Sequence, residues 1–419
     1  QKVALTESSD TWINLHFDLE FLKDKKHFVW ASERDGFKHL YLYRTNGQLV
    51  RQITNGEWAV DSLKGIDEKK GLVYFSGRKD TPLESHLYSA SLFKKGDIKR
   101  ITEQGQYHDV VLAKDNKTFI DNSSAVNQPN AAALRKINGE FITWLEENKL
   151  DNTHPLTPYL SDLATPEYGT LKAEDGQVMH YRLFKPSNIS DAKKHPVIVN
   201  VYGGPHAQRV TNSWRSKNLY FQYMAQQGYV IFQLDNRGSY NRGKKFEDAI
   251  YKNLGEVEVA DQIKGVEFLR TLDYVDPQRI GIYGHSYGGY MALMTMFKAG
   301  DYFNAGVSGA PVTDWALYDT HYTERYLGHP ATNAKGYENS AVFPYIDGLK
   351  GPLMIYHGMA DDNVLFTHAT KLFKQLQDTN KPFEMMTYPG SKHSLRGKTV
   401  QTHLHQTITN FFNRHFNVK

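Results

Sequence analysis

Ser286 lies in "GHSYG", Gly284 to Gly288, a G-x-S-x-G pattern. The apolar run Ile280-Gly281-Ile282-Tyr283 precedes it, and "MALMTMF" follows with the character of a buried helix. A serine between two glycines at a strand-to-helix junction has the form of a nucleophile elbow. The turn is so tight that a side chain at Gly284 or Gly288 would collide with neighbouring backbone, and the serine hydroxyl projects above the sheet. The pattern alone is weak, since average glycine and serine usage produces it in about one chain in six of this length. The strand before it and the helix after it carry the weight. The helix N-terminus also turns free N–H groups and partial positive charge toward the serine.

A serine hydroxyl is a poor nucleophile until a base takes its proton. Behind such an elbow the partners follow in the chain order serine, acid, histidine. "IYHGMADDNV" places Asp361 and Asp362 just past a buried strand, and spacing does not choose between them. "YPGSKHSL" places His393 in a loop after the last predicted strand. Both loops fall at carboxyl ends of strands, the edge Ser286 occupies. His393 is then the base, and an aspartate holds its tautomer and stabilises the imidazolium. His285 is expected to pack away from the site, and His357 to be a satisfied structural histidine. An oxyanion hole needs two donors. The backbone N–H of Tyr287 is one by construction, and the hydroxyl of Tyr202, in "NVYGGPHAQ", is a candidate for the other. Strand packing is an equally good account of Tyr202 at this stage.

Two rhythms in the chain must position these groups. Residues 1–160 read as short strands and turns. "HLYLYRTNGQLVRQIT" and "SHLYSASLFKKGDIKRIT" follow one plan, His39-Leu40-Tyr41 recurring as His86-Leu87-Tyr88, and residues 109–124 begin a weaker third copy. A period of 40–50 residues with about four strands per unit is that of β-propeller blades. Propellers close with about 4–8 blades, so further blades are expected before Gln1. Residues 161–419 alternate strands and helices. Apolar runs at 177–184, 195–204, 229–235, 279–284, 304–311, 352–358 and 383–389 predict strands, several buried on both faces as in parallel sheets. Helices are predicted over 256–272, 287–299, 367–377 and 399–416, giving an α/β domain with a mostly parallel sheet.

Composition narrows the remaining classes. The chain has 419 residues, a net charge of +4 and no cysteine. So small a charge gives no reason to expect nucleic-acid or anionic-membrane binding. Disulfides, zinc-thiolate sites and a cysteine nucleophile are excluded. No apolar run reaches the length of a transmembrane helix.

Together these motifs resemble the prolyl oligopeptidase family of serine peptidases, in its dipeptidyl peptidase IV branch. "VYGGPHAQ", "DNRGSYNRGKKFEDAI", "GHSYGGYMA", "APVTDWALYDTHYTERYLG" and "HGMADDNV" fall in the family's order, and "WALYDTHYTERYLG" is the most specific of them. The resemblance implies an α/β-hydrolase domain capped by a β-propeller. It implies release of N-terminal dipeptides with proline or alanine penultimate, a homodimer, no cofactor or metal, and an extracytoplasmic location, with the cytoplasm as the alternative. It implies Ser286, Asp361 and His393 as the triad, and Tyr202 with Tyr287 as the oxyanion hole. Tyr287, Val312, Trp315, Tyr318, Tyr322 and Val364 would wall a proline pocket, and Asn363 would bond the carbonyl of the dipeptide's first residue. Two features depart from the family. His285 stands where the branch has tryptophan. The glutamate pair that anchors the substrate amine has no counterpart, since Glu146-Glu147 lies in different surroundings, in the expected link between the domains. Prolyl tripeptidyl peptidases and prolyl endopeptidases share the same fold and triad. An inactive interaction protein is the alternative from another class, opposed by the intact set of four chemical groups.

Overall fold

Short stretches of alternating or continuous apolar residues, separated by turns, produce the strands of the N-terminal part. The computed structural model describes residues 3–186, 189, 193–214 and 217–418. The chain divides into two compact units. The first holds Gln1–Ser161, with Thr211–Arg215 and Tyr240–Glu247 returning to it. The second holds Asp162–Val210, Ser216–Ser239 and Asp248–Lys419.

Among the described residues the first unit contains three four-stranded antiparallel sheets. They are β1 Leu19–Phe21, β2 His27–Ser32, β3 His39–Arg44 and β4 Leu49–Gln52; β5 Val60–Asp67, β6 Leu72–Gly77, β7 His86–Ser91 and β8 Lys99–Arg100; and β9 Tyr107–Leu112, β10 Thr118–Ala125, β11 Gln128–Lys136 and β12 Phe141–Glu146. Each sheet is one blade of an incomplete propeller, as the repeat predicts. Val29, Leu40, Leu42, Val73, Phe75 and Tyr88 form one core between the first two blades. Tyr74, Leu87, Val110 and Phe119 form another between the second and third.

The repeat has a physical basis beyond the alternation. His39 Nδ1 lies 3.0 Å from Thr54 Oγ1, which accepts from Leu40 N at 2.9 Å. His86 Nδ1 lies 3.0 Å from Thr102 Oγ1, which accepts from Leu87 N at 3.1 Å. Both histidines and both threonines are buried. Each pair ties the start of its blade's third strand to the segment that follows the fourth. Glu146 is the last residue of β12, paired with Ala132, and so belongs to the third blade rather than to a link between domains.

In the second unit one eight-stranded sheet has the order β13-β14-β16-β15-β17-β18-β19-β20. The strands are β13 Glu167–Lys172, β14 Val178–Phe184, β15 His195–Val201, β16 Val230–Leu234, β17 Val275–His285, β18 Ala305–Gly309, β19 Leu353–Gly358 and β20 Glu384–Tyr388. β13, β14 and β16 pair antiparallel, and from β16 to β20 every pairing is parallel. This is the expected mostly parallel α/β-hydrolase sheet. The seven predicted strands are present, and the edge strand β13 joins them. The helices are α1 Lys217–Gln226, α2 Lys244–Glu247, α3 Val257–Leu269, α4 Tyr287–Lys298, α5 Thr320–Leu327, α6 Ala334–Ser340, α7 Thr367–Asp378 and α8 Lys398–Phe416; α2 falls in the first unit. Phe411, Phe412 and Phe416 of α8 share a core with Ile198, Ile231, Val307 and Met354 of four strands. No helix among the described residues is long and apolar enough to cross a membrane.

The blade locks are testable. Thr102→Val removes one hydroxyl and strands two buried groups, the Leu87 amide and His86 Nδ1. The second blade should lose about 1–3 kcal/mol, read as faster hydrogen exchange at the Leu87 amide. Unchanged exchange there would show that the hydroxyl contributes nothing.

Candidate active site

The sheet's parallel strands all deliver their carboxyl ends to one edge, and each group of interest follows one of them. β17 ends at His285 and α4 begins at Tyr287, leaving Ser286 alone at the junction with φ +64° and ψ −123°. A Cβ on Gly284 would fall 2.1 Å from the Gly288 carbonyl oxygen, and one on Gly288 would fall 2.2 Å from that of Val201. Those distances are impossible for real atoms, so both positions must be glycine for the turn to close. The Ser286 amide donates to Gly309 O at 2.8 Å, and its carbonyl accepts from Tyr290 N at 3.0 Å.

Asp361 follows β19 and His393 follows β20. Their loops are bonded to each other, Met359 N to Tyr388 O and Ala360 N to Ser391 O, each at 3.0 Å. Leu395, two residues past His393, is buried in the α8 core and pins the second loop. The result is a continuous chain of hydrogen bonds: His393 Nε2 lies 2.9 Å from Ser286 Oγ, and His393 Nδ1 lies 2.7 Å from Asp361 Oδ2. Asp362 instead faces solvent and pairs with Lys392. Geometry thus separates the two aspartates that spacing could not.

Asp361 is buried and accepts from four donors. Oδ1 takes the amides of Asn363 and Val364, both at 3.0 Å, and Oδ2 takes His393 and His357, the latter at 3.1 Å. Burial works to raise its pKa, but hydrogen bonds from His357, His393 and the Asn363 amide outweigh it and hold the carboxyl far below the usual carboxylate range. The carboxylate is therefore ionised wherever the protein is folded near neutrality, as an acid that stabilises an imidazolium must be.

Tyr202 follows β15, with its Cα 3.1 Å from where a Gly288 Cβ would stand. Its ring centroid is 6.0 Å from that of Tyr287, and the Arg209 guanidinium sits 4.5 Å over its face. Burial pushes the hydroxyl above its ordinary pKa, with Arg209 pulling the other way, so it is a protonated donor at neutral pH. It makes no hydrogen bond to another described residue. Tyr287 contributes its backbone N–H at the first turn of α4, where no intrahelical acceptor exists. Its side chain is buried, the hydroxyl donating to Glu258 Oε1 at 2.6 Å. Burial raises the pKa of Glu258, and Tyr287 and the Gly255 amide oppose that rise.

The segment between β18 and α6 builds an aromatic wall. Asp319 caps α5 by accepting from Tyr322 N at 2.9 Å. The Trp315 and Tyr322 rings are stacked, 6.0 Å apart at 11°, and Tyr318 stands nearly perpendicular to both. Tyr287 joins them at 5.5 Å from Trp315. Val312 and Val364 are buried and Asn363 is exposed. The Tyr318 hydroxyl donates to Asn363 Oδ1 at 2.8 Å, which leaves the Asn363 amide nitrogen free to donate elsewhere.

Two histidines differ from expectation. His285 packs toward the site: its ring centroid is 4.9 Å from that of His393, and its Nδ1 lies 3.1 Å from Tyr356 Oη. Gly309, on the strand between them, has no side chain, and the Tyr356 ring fills that gap to reach His285. His357 is fully buried, touches Asp361, and keeps an Nδ1 with no partner among the described residues, so it is not fully satisfied. Sequence reading also missed Arg209 and Glu258. Only the short spacing from His357 to Asp361 in "HGMAD" could have signalled any of these contacts.

The depressed Asp361 carboxyl has a pH consequence. A group whose folded pKa lies below its unfolded value, about 3.9 for aspartate, stabilises the fold above that value and stops doing so as pH falls through the folded one. Asp361→Asn should therefore unfold with a shallower pH dependence below about pH 4 than the parent, measured by denaturant midpoints across that range. Identical slopes would show that Asp361 carries no such linkage.

Comparison with known proteins agrees with this fold. The model of the prolyl oligopeptidase family matches residues 214–419, and that of the dipeptidyl peptidase IV N-terminal region matches residues 1–130. Dipeptidyl peptidase 8 of Mus musculus is 35% identical over 448 residues, covering 96% of this chain and 50% of that protein. Dipeptidyl peptidase 4 of Trichophyton tonsurans is 31% identical, covering 96% and 53%. The crystal structure of Porphyromonas gingivalis dipeptidyl peptidase 4 superposes with a TM-score of 0.88 at 31% identity, over 94% of this chain and 55% of that one. The chain thus spans about half the length of the curated relatives it matches. It belongs to the prolyl oligopeptidase family, in the dipeptidyl peptidase IV branch.

Proposed function

We propose that this chain carries the peptide-cleaving machinery of a serine exopeptidase that releases N-terminal dipeptides with proline or alanine penultimate. The observation that carries the reading is the unbroken hydrogen-bond chain from Ser286 Oγ through His393 to Asp361. Ser286 Oγ attacks the scissile carbonyl while His393 Nε2 takes its proton. Asp361 stabilises the imidazolium so formed. The carbonyl oxygen becomes an oxyanion and accepts from the Tyr287 N–H and the Tyr202 hydroxyl. His393 then returns the proton to the leaving amine, the dipeptide remains as an ester on Ser286, and water repeats the sequence to free it.

Selectivity comes from the aromatic wall. A pyrrolidine ring is rigid, apolar and lacks an N–H, so stacked and perpendicular rings can enclose it without stranding a polar group. Tyr287, Val312, Trp315, Tyr318, Tyr322 and Val364 form this pocket, and Asn363 donates to the carbonyl of the dipeptide's first residue. The family relationship also supports a homodimer acting outside the cytoplasm; sedimentation and fractionation test these.

Ser286→Ala should abolish cleavage by a factor on the order of 10⁶ with the fold retained. The protein should release Gly-Pro from a free-amine peptide and spare its N-acetylated form, as read by product mass. A mutant retaining more than a few per cent of activity would remove Ser286 from its role, and equal cleavage of both peptides would replace the exopeptidase reading with an endopeptidase. Tyr202→Phe should lower kcat by roughly 10²–10³ with a smaller change in KM, the pattern of a donor used mainly in the transition state. An unchanged kcat would return Tyr202 to packing.

A further inference from the structure

We propose that His357 is a positioning residue for the triad, one whose Nε2–H clamps Asp361 and the Val364 carbonyl and so fixes the loop carrying both the acid and the pocket. The inference rests on the serine-peptidase reading above. His357 lies within β19, immediately before Gly358, and its side chain and that of Asp361 are fully buried. Nε2 is 2.8 Å from Val364 O and 3.1 Å from Asp361 Oδ2. Both partners are acceptors, so Nε2 carries the proton and donates to both. The Asn363 and Val364 amides close the loop from the other side on Asp361 Oδ1. The segment from Asp361 to Val364 is held at each end by one imidazole. Within it stand the triad acid, the Asn363 amide and a wall residue of the pocket.

Packing alone does not account for this residue. Its Nδ1 is buried without a partner among the described residues, which costs stability. The ring lies edge-on to Phe366 at 5.6 Å, and an aliphatic or phenyl side chain there would carry no such cost. What an apolar residue could not do is donate to the triad carboxylate. Asp361 Oδ2 is shared, His393 at 2.7 Å and His357 at 3.1 Å. The second donor shares the oxygen that accepts from His393, so it fixes where that oxygen stands. Removing it loosens the loop and lets the carboxylate move off His393.

The test compares His357→Met, similar in volume without a donor, with His357→Gln, whose amide nitrogen falls near the place of Nε2. His357→Met should lower kcat by roughly 10- to 100-fold through displacement of the acid. It should raise KM for Gly-Pro substrates. His357→Gln should restore most of kcat and return KM toward the parent value. Two variants that lose activity equally would overturn the inference. The parent protein supplies a readout that needs neither variant to fold. With ¹⁵N-labelled histidine, His357 should show a protonated Nε2 and an unprotonated Nδ1, and the opposite tautomer would equally overturn it. A parent inactive on Gly-Pro substrates is a separate failure, of the peptidase reading, and leaves the tautomer measurement to decide the clamp.

Discussion

Ser286 is a non-glycine residue held at φ +64°, a conformation that typically costs of order 1–3 kcal/mol. Everything at the candidate site is arranged around keeping it there. Its amide is bonded to β18 and its carbonyl to the first turn of α4, so strand and helix grip it from both sides. The parallel pairing of β15, β17, β18, β19 and β20 brings Tyr202, Ser286, the aromatic segment, Asp361 and His393 to one edge without any of them being near in sequence. A sheet buried on both faces tolerates little rearrangement. The positions of five separate loops are thereby referenced to a single rigid object.

Much of this was legible from residue types. The strands of the second unit are continuous apolar runs, and α7 and α8 show helical periodicity, so both kinds of element could be placed. β13 escaped because "EYGTLK" is an exposed edge with no apolar alternation. α5 and α6 escaped because they are only eight and seven residues long, too short for a period to establish itself. Ser286 and His393 followed from chain order. The choice of Asp361 over Asp362 did not, because adjacent residues differ only in where a turn points them. The contacts of His285 and Arg209 depend on rings meeting across intervening strands or along a loop, and no local pattern encodes that.

The propeller region shows the opposite balance. Its repeat was visible at once, yet the reason for the repeat was not. His39 with Thr54 and His86 with Thr102 look like ordinary polar residues in sequence, and only their burial reveals them as locks. In the third blade the corresponding position, the start of β11, is Gln128, which is in keeping with the faintness of that copy.

The order of the three groups along the chain has a bearing on biosynthesis. Ser286 and Asp361 leave the ribosome before His393, and the His393 loop is held by Leu395 against a core that α8 completes. A nascent chain can therefore form its elbow, its aromatic wall and most of its sheet while the hydroxyl still has no base beside it. The hydrogen-bond chain from Ser286 to Asp361 is completed only when the His393 loop is pinned under α8. A chain cut short of α8 would form the elbow without closing that chain of hydrogen bonds.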